Sequence, residues 1–151
     1  MKKILPTIII FITLFSNIFC DCCNEDYFYG RLVDANGVNF NIHGGTDSVR
    51  ISNYNGAVII DATDYDWHGS DVKKTTYNTN ETKDIVEGEW FKCEKVVHDE
   101  IFQYYKITVK PNTTGKNRKA DINLKGTEPQ THSDGKRFYY EETLSIYQDA
   151  K

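Results

Sequence analysis

Residues 101–126 read IFQYYKITVKPNTTGKNRKADINLKG. Two alternating stretches flank a polar turn. Tyr105, Ile107 and Val109 share one face of the first, and Ala120, Ile122 and Leu124 share one face of the second. Side chains of an extended chain alternate between faces, so each stretch reads as a half-buried strand. Pro111 fixes φ and has no N–H for a ladder, which suits a strand end. Asn112 is the residue type that bonds its own nearby backbone and holds a turn. Gly115 supplies positive φ, and Arg118 offers five donors to carbonyls or a carboxylate at the end of the sheet. The plain reading of 111–118 is a solvated hairpin loop whose fixed features serve the fold.

The same period recurs on either side. Val38, Phe40 and Ile42 alternate, and His43-Gly44-Gly45 reads as a tight hairpin turn leading to Val49 and Ile51. Asn55-Gly56 marks a further turn before Ala57 to Ile60, a short apolar strand. Glu89 to Val97 reads as a strand with Trp90 in the core, and Arg137 to Gln148 closes the chain with Leu144 and Ile146 in phase. Tyr139 and Tyr140 are adjacent, so one faces the core and one the surface. Residues 61–89 are polar and lack a sustained period, and they read as an irregular excursion with one short strand at most. No amphipathic helix is present. Many short strands at close spacing predict an all-β sandwich or barrel.

The chain begins MKKILPTIIIFITLFSNIFCDCC. A basic start, an apolar run and small or polar residues after it make 1–20 a secretory signal peptide. The run falls short of the about 20 residues that cross a membrane. Residues 21–37 form an N-terminal segment in which Tyr27 to Val33 suits an edge strand, and 38–151 form one domain. Losing Lys2 and Lys3 takes 18 basic residues to 16 against 22 acidic, and the balance from −4 to −6. A mildly acidic exported domain lacks the basic face that nucleic acid requires.

Asn24-Glu25-Asp26 resembles the acidic stretch after the lipidated cysteine of Bacteroidetes surface lipoproteins, whereas Phe19 and Asp21 stand where that signal wants a small residue. Two readings stay open: lipidation at Cys20, which anchors the chain to a membrane, or cleavage after Cys20 and a soluble product. In an oxidising compartment Cys22 or Cys23 is available to pair with Cys93, and spacing does not decide which. No cysteine–histidine spacing suits zinc.

The richest polar cluster is Asp61-Ala-Thr-Asp64-Tyr65-Asp66-Trp67-His68-Gly69-Ser-Asp71. Its carboxylates echo the start of a calcium loop, but His68 replaces an oxygen ligand and the twelfth position is Thr75 rather than Glu. Tyr65 and Trp67 offer flat apolar rings for the C–H faces of a sugar, with Asp64 and Asp66 beside them to bond its hydroxyls. His43, His68, His98 and His132 lie in or near turns without ligand spacing, and His98-Asp99-Glu100 reads as a solvated charge run. No nucleophile motif appears. The sequence therefore predicts neither an enzyme nor a cofactor.

YKITVKPNTTGKNRKADINLKG followed by ETLSIYQDA resembles the BACON domain, an immunoglobulin-like β-sandwich of exported Bacteroidetes proteins. The features that carry the resemblance are Ile107 and Val109, Asn112, Arg118, Ala120 with Ile122, and Leu144-Ser-Ile146-Tyr-Gln148. Upstream, Val38 to Ile51 around Gly44-Gly45 resembles the opening hairpin, and Trp90 the Trp that opens a middle strand. Between Asn53 and Gly88 the pattern is not followed. The resemblance implies a sandwich of about seven to eight strands, and one face of each sheet is then expected to carry Val38, Phe40, Ile42, Val49, Ile51, Trp90, Ile107, Val109, Ile122, Leu124, Leu144 and Ile146. It also implies a non-catalytic module that binds carbohydrate or mucin glycans at the bacterial cell surface. The alternative is a structural or protein-interaction sandwich with a protein partner at the cell surface. Tyr65 and Trp67 exposed on one flat surface favour the first, and an open edge strand without such a platform favours the second.

Overall fold

The computed structural model describes residues 31–52, 56–68, 71–98 and 102–150. They form eleven strands and no helix. In chain order these are β1 (Gly37–Phe40), β2 (Gly45–Arg50), β3 (Val58–His68), β4 (Asp71–Asn78), β5 (Ile85–Glu87), β6 (Phe91–Val97), β7 (Gln103–Val109), β8 (Arg118–Lys125), β9 (Gln130–Thr131), β10 (Arg137–Phe138) and β11 (Glu141–Gln148). One sheet has the order β1-β11-β8-β3-β4 and the other β2-β7-β6-β5, with β9 and β10 as a small separate hairpin. Taking β2, β3, β4, β6, β7, β8 and β11 as strands B, C, C′, D, E, F and G gives G-F-C-C′ facing B-E-D. That is the strand order of an immunoglobulin-like sandwich with a variable-type C′ strand. β1 lies parallel to β11, and the other pairings within the two sheets are antiparallel.

The core is the set that alternation predicts. Val38, Phe40, Val49, Ile51, Trp90, Ile107, Val109, Ile122, Leu124, Leu144 and Ile146 are all buried, joined by Phe91, Cys93, Tyr105 and Ala62. Ile42 is only half-buried, because β1 ends at Phe40 and the chain turns away. Tyr139 is exposed, while Tyr140 packs against the core. Of the N-terminal segment, Leu32 and Val33 are fully buried and Val33 bridges Ile51. The Glu142 carboxylate accepts the Leu32 N–H at 2.6 Å and pairs with Arg31 at 3.3 Å. Cys20, Cys23 and Tyr27 to Gly30 lie outside the described residues. Cys93 is buried on β6, and burial, aided by Glu94, pushes its thiol up to about 12.

Three predicted connections differ. The 111–118 segment is no hairpin loop: β7 and β8 belong to opposite sheets, and the chain crosses between them. Asn112 is buried at this crossing. Its amide N–H groups donate to the Lys116 and Asp149 carbonyls at 2.7 and 2.9 Å, and its oxygen accepts from the Thr114 backbone and hydroxyl. Its own N–H donates to the Ile42 carbonyl at 2.7 Å. The glycines at 44–45 likewise carry the chain from one sheet to the other rather than closing a hairpin. Gly44 has φ +69°, and a Cβ there would lie 2.2 Å from the Val109 carbonyl oxygen. Finally, much of 61–89 is regular, since β3 runs eleven residues and β4 eight, paired from Asp61–Asn78 to His68–Asp71.

Candidate functional site

The exposed face of the five-stranded sheet is built in rows by strand register. One row reads Lys74, Tyr65, Lys119, Tyr147, Asn39 across β4, β3, β8, β11 and β1. The next reads Thr76, Thr63, Asp121, Ser145, Gly37, and the one below it Asn78, Asp61, Asn123, Thr143. Above the first row Val72 faces Trp67. The inward neighbours on these strands, including Ala62, Ala120, Ile122, Leu144 and Ile146, are fully buried. The surface therefore grades from aromatic and cationic at the Trp67 end to hydroxyl, amide and carboxylate groups at the other.

The Tyr65 and Trp67 rings lie 5.9 Å apart with planes inclined by 24°. Residues two apart on a strand share a face, so the pair follows from alternation alone. Trp67 is 39 % exposed and Tyr147 42 %. The Lys119 ammonium sits 5.1 Å from the Tyr65 ring centre and 5.7 Å from that of Tyr147, and Lys74 lies 5.4 Å from Tyr65 on the opposite strand. Gly37 leaves room beside Tyr147: a Cβ there would meet the ring edge at 3.5 Å and the Ser145 carbonyl at 3.1 Å.

Asp121 holds the array together. Its carboxylate accepts from the Ser145 hydroxyl at 2.6 Å, the Lys119 ammonium at 3.0 Å and the Tyr65 hydroxyl. Burial alone would raise its pKa, but these three donors outweigh it and hold the carboxyl below its ordinary value. Tyr65 shows the reciprocal effect, raised by partial burial and then by its bond to Asp121. A second chain of bonds runs from Thr143 through Asn123 to Asp61, at 3.2 and 2.6 Å. Tyr65 and the polar groups of the two lower rows are thus held by bonds within the sheet.

Of the sequence-predicted set, the structure brings Tyr65 and Trp67 together and separates Asp64 and Asp66 from them. Alternation turns both carboxylates to the other face of β3. Asp64 accepts the Trp90 indole N–H at the end of the sandwich, and desolvation there raises its pKa more than that bond lowers it. Asp61, Asp64, Asp66 and Asp71 consequently do not converge, and no metal-ligating cluster occurs among the described residues. Lys119, Asp121, Asn123 and Tyr147 come from distant strands, and no local motif marks them.

The exposed face of the four-stranded sheet is different. Glu94 is clasped by Lys92 at 2.5 Å and Lys106 at 3.1 Å, which hold its carboxyl low, and Thr46 meets Thr108 across the ladder. Two lysines here share one glutamate, and the face carries no stacked aromatic pair among the described residues.

No family model and no curated protein matches the sequence. Among solved structures, the chain is similar to an NMR structure of a protein from Bacteroides thetaiotaomicron, with 16% identity over 77% of each chain and a TM-score of 0.47. It is also similar to murine CRIg, with 11% identity over 76% of this chain and 92% of that one and a TM-score of 0.37.

Proposed function

We propose that this chain is an exported, non-catalytic module that binds carbohydrate, including mucin glycans, on the outer face of its five-stranded sheet. The carrying observation is the co-facial Tyr65–Trp67 pair with Tyr147 nearby, bordered by prearranged hydroxyl, amide and carboxylate groups. Sugar rings present apolar C–H faces to aromatic planes, and their hydroxyls need acceptors and donors at the edge. This surface supplies both. The resemblance to BACON domains in 38–149 supports the same reading, and the amino-terminal signal supports action at the cell envelope, either lipid-anchored through Cys20 or released. The binding residues in this reading are Tyr65, Trp67, Tyr147, Asn123 and Asp61, and not Asp64 or Asp66.

A second reading, docking of a protein partner, draws on β4. It is an eight-residue strand at the edge of its sheet and exposed along nearly its whole length. Edge strands invite pairing, but Lys73 and Lys74 place charge in the middle of this one, which is how edges are kept from pairing. The platform beside it therefore favours the sugar reading. Titrating the purified domain with mucin glycans and plant polysaccharides, followed by tryptophan fluorescence, tests it. Saturable quenching is expected in the wild type and absent in Trp67→Ala. Quenching that is equal in both proteins would remove the platform from the account.

A further inference from the structure

The chain is acidic as a whole, at −4 over its full length. The Trp67 end of the platform has the opposite sign. Lys74 and Lys119 flank Tyr65 on the neighbouring strands, and Lys116 and Asn117 line a shallow depression with Trp67. Lys119 is neutralised by Asp121. Lys74 and Lys116 are exposed, and neither ammonium meets a carboxylate among the described residues. The acidic residues nearest in sequence, Asp66 and Asp71, sit at alternating positions that turn to the other side of the β3–β4 hairpin. Of the platform's carboxylates, Asp61, Asp121 and Glu141 lie in its lower rows, while Asp149, two residues past Tyr147 on the outward side of the chain, lies at the upper end and makes no ion pair with either lysine among the described residues. Lys116 thus borders the exposed indole and Lys74 lies over the neighbouring Tyr65 ring, neither paired with a carboxylate among the described residues, while most of the hydroxyl-binding groups are gathered away from them.

We infer that this site selects acidic glycans: a sugar ring lies on Trp67 while its carboxylate or sulfate is held by Lys74 and Lys116. The inference rests on the carbohydrate reading and narrows its ligand class. A neutral sugar leaves both ammoniums solvated and gains nothing from them. An anionic sugar gains charge-assisted bonds beside an apolar surface, where they are stronger than in bulk water. Because the protein's net charge repels polyanions, affinity for one must come from this local patch rather than from the general field.

The test measures affinity of the mature domain for matched pairs: polygalacturonate against its methyl ester, and dextran sulfate against dextran. Poly-glutamate serves as a polyanion without sugar rings. At least one acidic member of a pair is expected to bind roughly tenfold or more tightly than its neutral partner, the worth of one charge-assisted bond. Which pair shows the effect identifies the anion as carboxylate or sulfate. Lys74→Ala with Lys116→Ala should remove that preference. Lys125→Ala, which loses the same kind of charge at the far end beside Tyr139, should retain it. Equal binding within both pairs overturns the selectivity and leaves the sugar platform standing. Poly-glutamate binding as tightly as the acidic sugars, or an equal loss in Lys125→Ala, overturns it as general charge attraction. No binding to any polysaccharide overturns the carbohydrate reading and the inference together.

Discussion

Asp121 lies on the solvent side of its strand and is nonetheless 9 % exposed, because Tyr65, Lys119 and Ser145 converge on it. A carboxylate with three donors is stabilised in its charged form, so its folded-state pKa falls below the ordinary 3.8. The sign of the linkage follows. The stability it contributes is fully present above that ordinary value and is lost as pH falls through the lower, folded one. Asp121→Asn should therefore cost about 1–3 kcal/mol at neutral pH, with the deficit shrinking in acid as the wild-type carboxyl is protonated. Urea unfolding of both proteins at several pH values measures this, and a deficit that does not change with pH would contradict it. Tyr105 presents the reverse case. Its hydroxyl is buried in the core without a hydrogen-bond partner among the described residues. An unmatched buried polar group is a cost, so Tyr105→Phe should be neutral or raise stability by about 1 kcal/mol. A loss of that size would show that the hydroxyl is bonded.

Among the elements, the connection from β7 to β8 is what joins the sheets at one end of the sandwich. Asn112 links it to the β1–β2 connection through Ile42 and to the C-terminal segment through Asp149. Gln148 adds bonds to the Asn41 and Lys110 carbonyls and accepts from Arg118. Asn112→Ala should cost roughly 2–4 kcal/mol, since several buried groups lose their partner at once. Thermal unfolding reads the effect, and a change within about 0.5 kcal/mol, typical of surface sites, would mean the loop is not a fastening. Gly44→Ala should destabilise the same end, because positive φ and the Val109 carbonyl both oppose a side chain. Sequence periodicity shows which face of such strands is buried, and β7, β8 and β11 were legible for that reason. It does not show which strand is the partner, so two crossings between sheets resembled hairpins. β3 is legible only at its start, in the strand Ala57 to Ile60, and the rest of it and β4 escaped detection on different grounds. Ala62 and Asp64 occupy inward positions of β3 where large apolar residues would announce a strand, and β4 is exposed along nearly its whole length. The remaining signals were Tyr65, Trp67, Val72 and Tyr77, which favour strands, and the two-residue gap between His68 and Asp71.

For the whole molecule, the two sheets divide the work. One outer face carries a cluster of two lysines on Glu94, and the other is an aromatic and polar platform held by Asp121. Tyr65 and Trp67 were legible as a pair from their residue types. Once they lie on a strand, the alternation that brings them together sends Asp64 and Asp66 away. Lys119, Asp121 and Tyr147 reach the site only through pairing of β3 with β8 and of β8 with β11, which no local spacing encodes. The central claim is that ligands meet the five-stranded face. The most direct measurement is the affinity of an acidic and a neutral polysaccharide for the wild type, Trp67→Ala and Tyr104→Ala, the last on the opposite sheet, with folding checked by circular dichroism. The account predicts saturable binding that Trp67→Ala weakens at least about tenfold, as loss of a stacking aromatic does, and that Tyr104→Ala leaves unchanged. Binding that survives in Trp67→Ala and fails in Tyr104→Ala would place the site on the other sheet and contradict it.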